Sequence, residues 1–164
     1  MAKNKGKQFE QVIRECCEKC RGISIDRLRD VVGKKHVDNP SDFIAYKYPY
    51  EYYLECKSHK GGTLPFSCIR ENQIIEMAVK RTIPGVYCGL IIWYIDKDET
   101  WYVPIEVVLE LQACKAKSIK LSELHNRWDC FMLPAKKKRV YFDYDMEVVL
   151  DQIIKISEVL HEQI

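Results

Sequence analysis

The chain contains no apolar run approaching the ~18 residues that a membrane-crossing helix requires, so no segment is expected to span a bilayer. It has no Pro/Gly/Ser-rich linker, internal repeat or low-complexity tract, which leaves no place to draw a domain boundary. Residues 1–164 are therefore read as a single domain. Charge of one sign is also missing: 26 Lys and Arg against 24 Asp and Glu leave a formal +2. Such a balance neither demands nor excludes a nucleic-acid partner, and local clustering has to decide. No apolar stretch follows the basic opening segment Met1 to Lys7, so no secretory signal is expected.

Cysteine, by contrast, is abundant, at eight residues. A disulfide framework is one reading of that count, but a chain of this length buries roughly 70% of its unfolded surface without staples. Its 47% hydrophobic content supplies the core. Cys88 sits inside Val86-Tyr87-Cys88-Gly89-Leu90-Ile91-Ile92, where a thiol reads as a small hydrophobe of a reduced cytoplasmic protein. Cys17-Glu18-Lys19-Cys20 is one CxxC, yet a structural zinc site needs a second pair and none follows.

Phe9, Val12, Ile13, Cys16, Cys17 and Cys20 recur at i, i+3, i+4, i+7, i+8 and i+11, predicting an amphipathic helix over about residues 6–20. Glu10 lies beside its apolar face. Residues 24–30 read as a loop or short helical turn, and Asp38-Asn39-Pro40-Ser41 as a turn. Asp42 to Tyr46 and Glu51 to Lys57 read as a hairpin around Lys47-Tyr48-Pro49-Tyr50. Alternation places Tyr53, Glu55 and Lys57 on one face of the return strand and Tyr52, Leu54 and Cys56 on the other. The spacing of Ile69, Gln73, Ile74, Met77 and Ala78 predicts a second helix over about residues 67–80. Val86 to Ile95 suits a strand buried on both faces. Strands are expected over Thr100 to Val103 and Arg139 to Phe142, with helices over Pro104 to Leu111 and Met146 to Leu160. The order α-β-β-α-β-β-α-β-α predicts an α/β fold, a mixed β-sheet flanked by α-helices.

The spacing that carries chemistry is Asp42, Glu55 thirteen residues on, and Lys57 two further. Asp42 begins one strand of the hairpin and Glu55 ends its partner, so antiparallel pairing brings the carboxylates together. Crowded carboxylates repel, and a hard cation such as Mg²⁺ or Mn²⁺ relieves the repulsion, keeping waters and phosphate oxygens as further ligands. Lys57, on the same face as Glu55, can then orient a water or stabilise charge on a phosphate. On spacing alone, a solvated strand face explains Glu55 and Lys57 equally well.

Asp-x(12)-Glu-Cys-Lys after a helix carrying Phe9-Glu10 resembles the PD-(D/E)XK nuclease superfamily, and within it the RecU-like Holliday junction resolvases. Asn4-Lys5-Gly6-Lys7-Gln8-Phe9-Glu10, Ser41-Asp42-Phe43, Glu55-Cys56-Lys57-Ser58, Thr63 to Ser67 with Gln73 to Met77, Lys117 to Leu124 and Phe142-Asp143-Tyr144 carry the likeness over most of the chain. The resemblance implies a restriction-endonuclease-like core and Mg²⁺- or Mn²⁺-dependent, structure-specific endonuclease activity. Its substrate would be DNA, as four-way junctions nicked in symmetric pairs by a homodimer. No membrane or small-molecule cofactor would be involved. Asp42 and Glu55 would be metal ligands, joined by the Cys56 carbonyl, and Lys57 the catalytic lysine. Glu10 would approach as a further ligand, directly or through water, and Gln73 would position metal, water or phosphate. Ser41 stands where the motif's proline is usual. Residues 21–39 are too few for the long stalk of RecU proteins, so a compact phage-type relative or the archaeal resolvases are the nearer likeness. The setting implied is the cytoplasm of a bacterium or of a phage-infected one. Another endonuclease on the same core, a nickase or restriction-type enzyme, is the alternative. A non-catalytic DNA-binding relative would have no reason to hold Asp42, Glu55 and Lys57 together.

Basic residues cluster at Lys3-Lys5-Lys7, Lys34-Lys35-His36, Lys57-His59-Lys60 and Lys136 to Arg139. Lys34, Lys35, His59 and Lys60 flank the expected site and suit phosphate contacts without base readout. The Lys136 run reads equally as a solvated loop, and His59 equally as a surface histidine. Arg27 and Arg29 either contact DNA or pair with Asp26 and Asp30. Tyr46, Tyr48, Tyr50, Tyr52 and Tyr53 could stack on unpaired bases, or pack within a sheet or dimer interface.

Overall fold

In the computed structural model, which describes residues 4–29 and 39–162, helix α1 (Lys5–Glu18) opens on a side-chain cap: Asn4 Oδ1 accepts the Gly6 N–H at 3.0 Å. Its stripe buries Phe9, Ile13, Cys16 and Cys17, as the periodicity predicts. An antiparallel meander follows, of β1 (Ser24–Arg27), β2 (Phe43–Lys47) and β3 (Tyr50–His59). From β3 the chain passes through β4 (Thr63–Pro65) and helix α2 (Glu71–Lys80) to β5 (Val86–Tyr94), which lies parallel to β3. Strand β6 (Glu99–Pro104) returns antiparallel to β5 and leads into α3 (Ile105–Ala113). Then come β7 (Ser118–Lys120), which pairs with β4, the single turn α4 (Leu121–Leu124), and β8 (Phe131–Met132) beside β6. A small hairpin of β9 (Ala135–Lys137) and β10 (Phe142–Tyr144) precedes the last helix, α5 (Met146–Glu162). The main sheet has the order β1-β2-β3-β5-β6-β8 and is mixed, flanked by helices.

Two apolar layers hold the helices to this sheet. Tyr52, Leu54 and Cys56 of β3 join Phe9, Ile13 and Cys17 of α1 and Val149, Leu150 and Ile153 of α5 on one face. Tyr53 of β3, with Cys88, Leu90 and Ile92 of β5, meets Ile74 and Met77 of α2 and Val107 and Val108 of α3 on the other. Every residue of β5 is buried, which is why its sequence reads as a continuous apolar run. The alternation predicted for β3 therefore holds. It sends Glu55 and Lys57 to the α2 side, where hydrophobic packing fixes the backbone that carries them.

Some expectations are corrected. Residues 24–27 form an edge strand, not a loop or helical turn. Only Ile25 of Ser-Ile-Asp-Arg is buried, so the pairing comes from the backbone of β2 and leaves little periodic trace. Helix α2 begins at Glu71 rather than near residue 67, because Phe66–Cys68 form a 3₁₀ turn. The strand expected over Arg139 to Phe142 lies at Phe142–Tyr144, where its register is set by the fully exposed Ala-Lys-Lys of β9. The cysteines are free thiols, and Cys16, Cys17, Cys56, Cys88 and Cys130 are buried as small hydrophobes. No described helix is long and apolar enough to cross a membrane.

Candidate active site

Strand register assembles the site. Phe43 pairs with Leu54, so Asp42, one residue before β2, stands beside Glu55 on the next rung of the ladder. Beyond that end of the β2 ladder, the Cys56 backbone N–H turns to a side chain and donates to Asp42 Oδ2 at 2.8 Å. In an extended strand the carbonyl leans to the same edge as the N–H, so the Cys56 carbonyl faces the same opening. The Cys56 side chain points the other way, into the core beneath α1, where burial pushes its thiol well up.

Glu55 is held on both oxygens although it is only 1% exposed. Gln73 Nε2, from the first turn of α2, donates to Oε2 at 2.9 Å, and Lys57 Nζ lies 2.7 Å from Oε1. Burial, and then the neighbouring Asp42 carboxylate, push the Glu55 carboxyl up to about 7, against the pull of Lys57 and Gln73. Asp42 is raised as well, chiefly by burial, while the Cys56 N–H, Lys57, Arg27 and Arg70 stabilise its charge. The two carboxylates are thus crowded and poorly solvated, with one lysine as the nearest counter-charge. Gln73 Oε1, on a residue 1% exposed, is buried and has no hydrogen-bond partner among the described residues. A buried acceptor left open beside two acids suits a site completed by a bound water or cation.

The donors fit a hard divalent cation in part. Two carboxylates and a strand carbonyl suit Mg²⁺ or Mn²⁺, which retain waters and take phosphate oxygens. Among the described residues, no three His, Cys, Asp or Glu side chains converge to hold an ion. Glu10 does not join Asp42 and Glu55 in such a group. Its Oε2 accepts from Arg27 at 2.7 Å. It nevertheless feels the site, since burial and then Asp42 raise its carboxyl.

A cleft of about 590 Å³ opens beside Asp42, between the end of β1 and the start of α2. Arg14, Arg27, Arg29 and Arg70 line it. Arg27 pairs with Glu10 and not with Asp26. Arg14 and Arg70 escape a reading by charge runs because each stands alone in sequence. The retrievable signal is spacing: Arg70 precedes Gln73 by three residues, so both belong to the same end of α2.

No protein-family model matches the sequence, and no curated protein does either. Among solved structures, the chain is similar to Archaeoglobus fulgidus Hjc, described as a Holliday junction resolvase from an archaeal hyperthermophile. The TM-score is 0.47 and the identity 17%, covering 62% of this chain and 78% of that one. Function is therefore read from this chain's own side chains.

Of the other expected contacts, Lys34 and Lys35 lie outside the described residues. His59 ends β3 half-buried and Lys60 is exposed in the bend after it, both further along the chain than Glu55 and Lys57. Tyr52 and Tyr53 are core residues, and Tyr50 packs edge-on against Tyr87 at 5.5 Å. Only Tyr46 and Tyr48 of that aromatic group face outward.

Proposed function

We propose that this chain is a metal-dependent, structure-specific DNA endonuclease that nicks four-way junctions in symmetric pairs as a homodimer. The observation that carries the reading is the opposition of Asp42 and Glu55 across the β2–β3 register, with Lys57 on the Glu55 carboxylate and Gln73 behind it. A structural ion pair on a strand does not need a second, half-buried acid beside it. The ordered likeness of these residues to the RecU-like resolvases supplies the substrate class.

Asp42 and Glu55, with the Cys56 carbonyl, would hold Mg²⁺ or Mn²⁺. A divalent cation there supplies a water of lowered pKa and positive charge against the developing phosphorane. The chain's own groups do the rest. The Cys56 N–H fixes the Asp42 carboxylate, and Gln73 fixes the plane of Glu55 through Oε2. Lys57 Nζ, which lies 2.7 Å from Glu55 Oε1, would donate to the attacked phosphate or orient the water. Gln73 Oε1 would accept a hydrogen bond from a water ordered beside Glu55. Glu10 holds Arg27 at the mouth of the cleft. Lys34, Lys35, His59 and Lys60 would contact the backbone of the arms.

Cleavage of a labelled four-way junction beside linear duplex, in Mg²⁺ and in EDTA, tests this. Paired symmetric nicks on the junction alone, lost in EDTA and in Asp42→Asn and Glu55→Gln, are expected, with junction binding kept in both variants. Equal cutting of duplex would move the function to a general or sequence-specific nuclease. Wild-type cutting by either variant would remove the assigned ligands.

A further inference from the structure

The cleft beside Asp42 contains more positive charge than the acids of the site employ. Arg27 is committed to Glu10, and Arg14 to Glu18 at 2.9 Å. Arg29, beyond the end of β1, and Arg70, at the N-cap of α2, both line the same cleft. Both are exposed, and among the described residues neither side chain makes an ion pair or hydrogen bond. Two guanidiniums without side-chain partners among the described residues, some forty residues apart in the chain, line one polar opening together with Asp26 and Asp42. Arg70 is close enough for its charge to stabilise the Asp42 carboxylate. Arginine left unpaired at a wet cleft is available for bidentate recognition of a phosphate, and a pair of them matches one anionic backbone passing between.

We infer that Arg29 and Arg70 form a subsite for the phosphodiester next to the one being cut, on the β1 side of Asp42. The inference rests on the nuclease reading and deepens it: it assigns a track by which the cleaved strand leaves the metal-binding acids. The other four lysine and histidine positions expected to touch DNA lie elsewhere in the chain. A nucleic-acid backbone is the ligand class because the cleft offers forked donors and few apolar surfaces, so it grips charge and does not read bases. Of the two arginines, Arg70 is tied more closely to the chemistry. It and Gln73 occupy the same end of α2, so a phosphate on Arg70 and a carboxylate on Gln73 would be held by one rigid element.

Anisotropy of a labelled four-way junction, titrated in EDTA across a series of KCl concentrations, tests the subsite. The proteins are wild type, Arg29→Ala, Arg70→Ala, the double variant, Arg70→Lys, and Lys155→Ala on the outer side of α5 as a control. Each arginine removed should flatten the slope of log K against log[salt] by about 0.9 for every phosphate it neutralises. The weakening should be uniform across junction sequences. Arg70→Lys should restore the slope but not the full affinity, because the fork is gone. Lys155→Ala should match wild type. Thermal melts of the exposed-site variants should be unchanged, which separates a missing phosphate partner from a folding defect. If the double variant keeps the wild-type slope and affinity, the subsite is wrong while the nuclease reading stands. If wild type binds no DNA, both fall together.

Discussion

Glu55 titrates where a carboxylate usually does not, and that has a measurable consequence for stability. Burial, and then Asp42, raise its carboxyl from 4.5 to about 7 in the folded protein. The native state therefore binds this proton more tightly than the unfolded chain does. The stability it contributes is fully present below about pH 4.5 and is lost as the pH rises through about 7. At about 1.4 kcal/mol per pKa unit, the metal-free protein should lose about 3 kcal/mol from this group across that window. Glu55→Gln titrates no proton and still offers an oxygen to Gln73 Nε2, so it should not share the loss. For a domain of this size, that difference corresponds to roughly 6–12 °C in melting temperature. The assay is thermal unfolding of both proteins in EDTA at pH 4.5 and pH 8, read as a difference of differences so that other titrating groups cancel. Adding Mg²⁺ at pH 8 should raise the wild type alone, because the cation replaces the proton and the variant has lost half its carboxylates. Parallel pH profiles for the two proteins would refute the reasoning, since Glu55 would then be an ordinary solvated acid.

Lys57→Met should cut the cleavage rate by about 10²–10³ while Mg²⁺ still stabilises the protein at pH 8; an unchanged rate would return Lys57 to the role of a strand-face cation. Gln73→Leu leaves Glu55 Oε2 without its donor, and urea unfolding should show a loss of about 1–3 kcal/mol. The acid limb of its pH–rate profile should also move upward, because the Gln73 hydrogen bond pulls the Glu55 pKa down. Gly89→Ala would set a Cβ 2.6 Å from Tyr102 Cζ in the sealed centre of the sheet, costing about 1–3 kcal/mol. A denaturation midpoint equal to wild type would show that Tyr102 has room to move.

How much of this was legible follows from where each signal comes from. The faces of β3 were readable because a strand alternates strictly, and Tyr53-Glu55-Lys57 against Tyr52-Leu54-Cys56 is an unambiguous partition. The buried run of β5 and the stripe of α1 were readable for the same reason: each pattern is long enough to have a period. Strand β1 was not, because four residues with one buried side chain carry no period and take their shape from β2. The strand expected over Arg139 to Phe142 was misplaced, and its partner β9 went unseen, for want of any buried residue in β9. In the site, Asp42 and Glu55 could be paired from the hairpin alone. The Cys56 N–H on Asp42 could not, since it depends on β2 starting only at Phe43, one residue after Asp42. Nor could the arginine cleft, which joins single residues of α1, β1 and α2 that no local pattern relates.

Glu10 shows why that distinction matters for the chemistry. From sequence it is an acid approaching two others, and a third ligand is the natural expectation. In the fold its Oε2 is 2.7 Å from Arg27, its side chain is 17% exposed, and burial and then Asp42 raise its carboxyl. An acid so placed can tune the site by neutralising an arginine that would otherwise draw phosphate to the cleft mouth. Glu10→Gln separates the two roles. If Glu10 acts through Arg27, the variant frees a guanidinium. The salt dependence of DNA binding then steepens by about 0.9, and the Mg²⁺ concentration for half-maximal cleavage stays where it was. If instead Glu10 reaches the cation, the Mg²⁺ requirement rises about 10–100-fold and the salt slope does not move. The first outcome is the one the Arg27 pair predicts. The second would mean that the carboxylate abandons Arg27 when the cation binds, and that the site closes around three acids only once it is loaded.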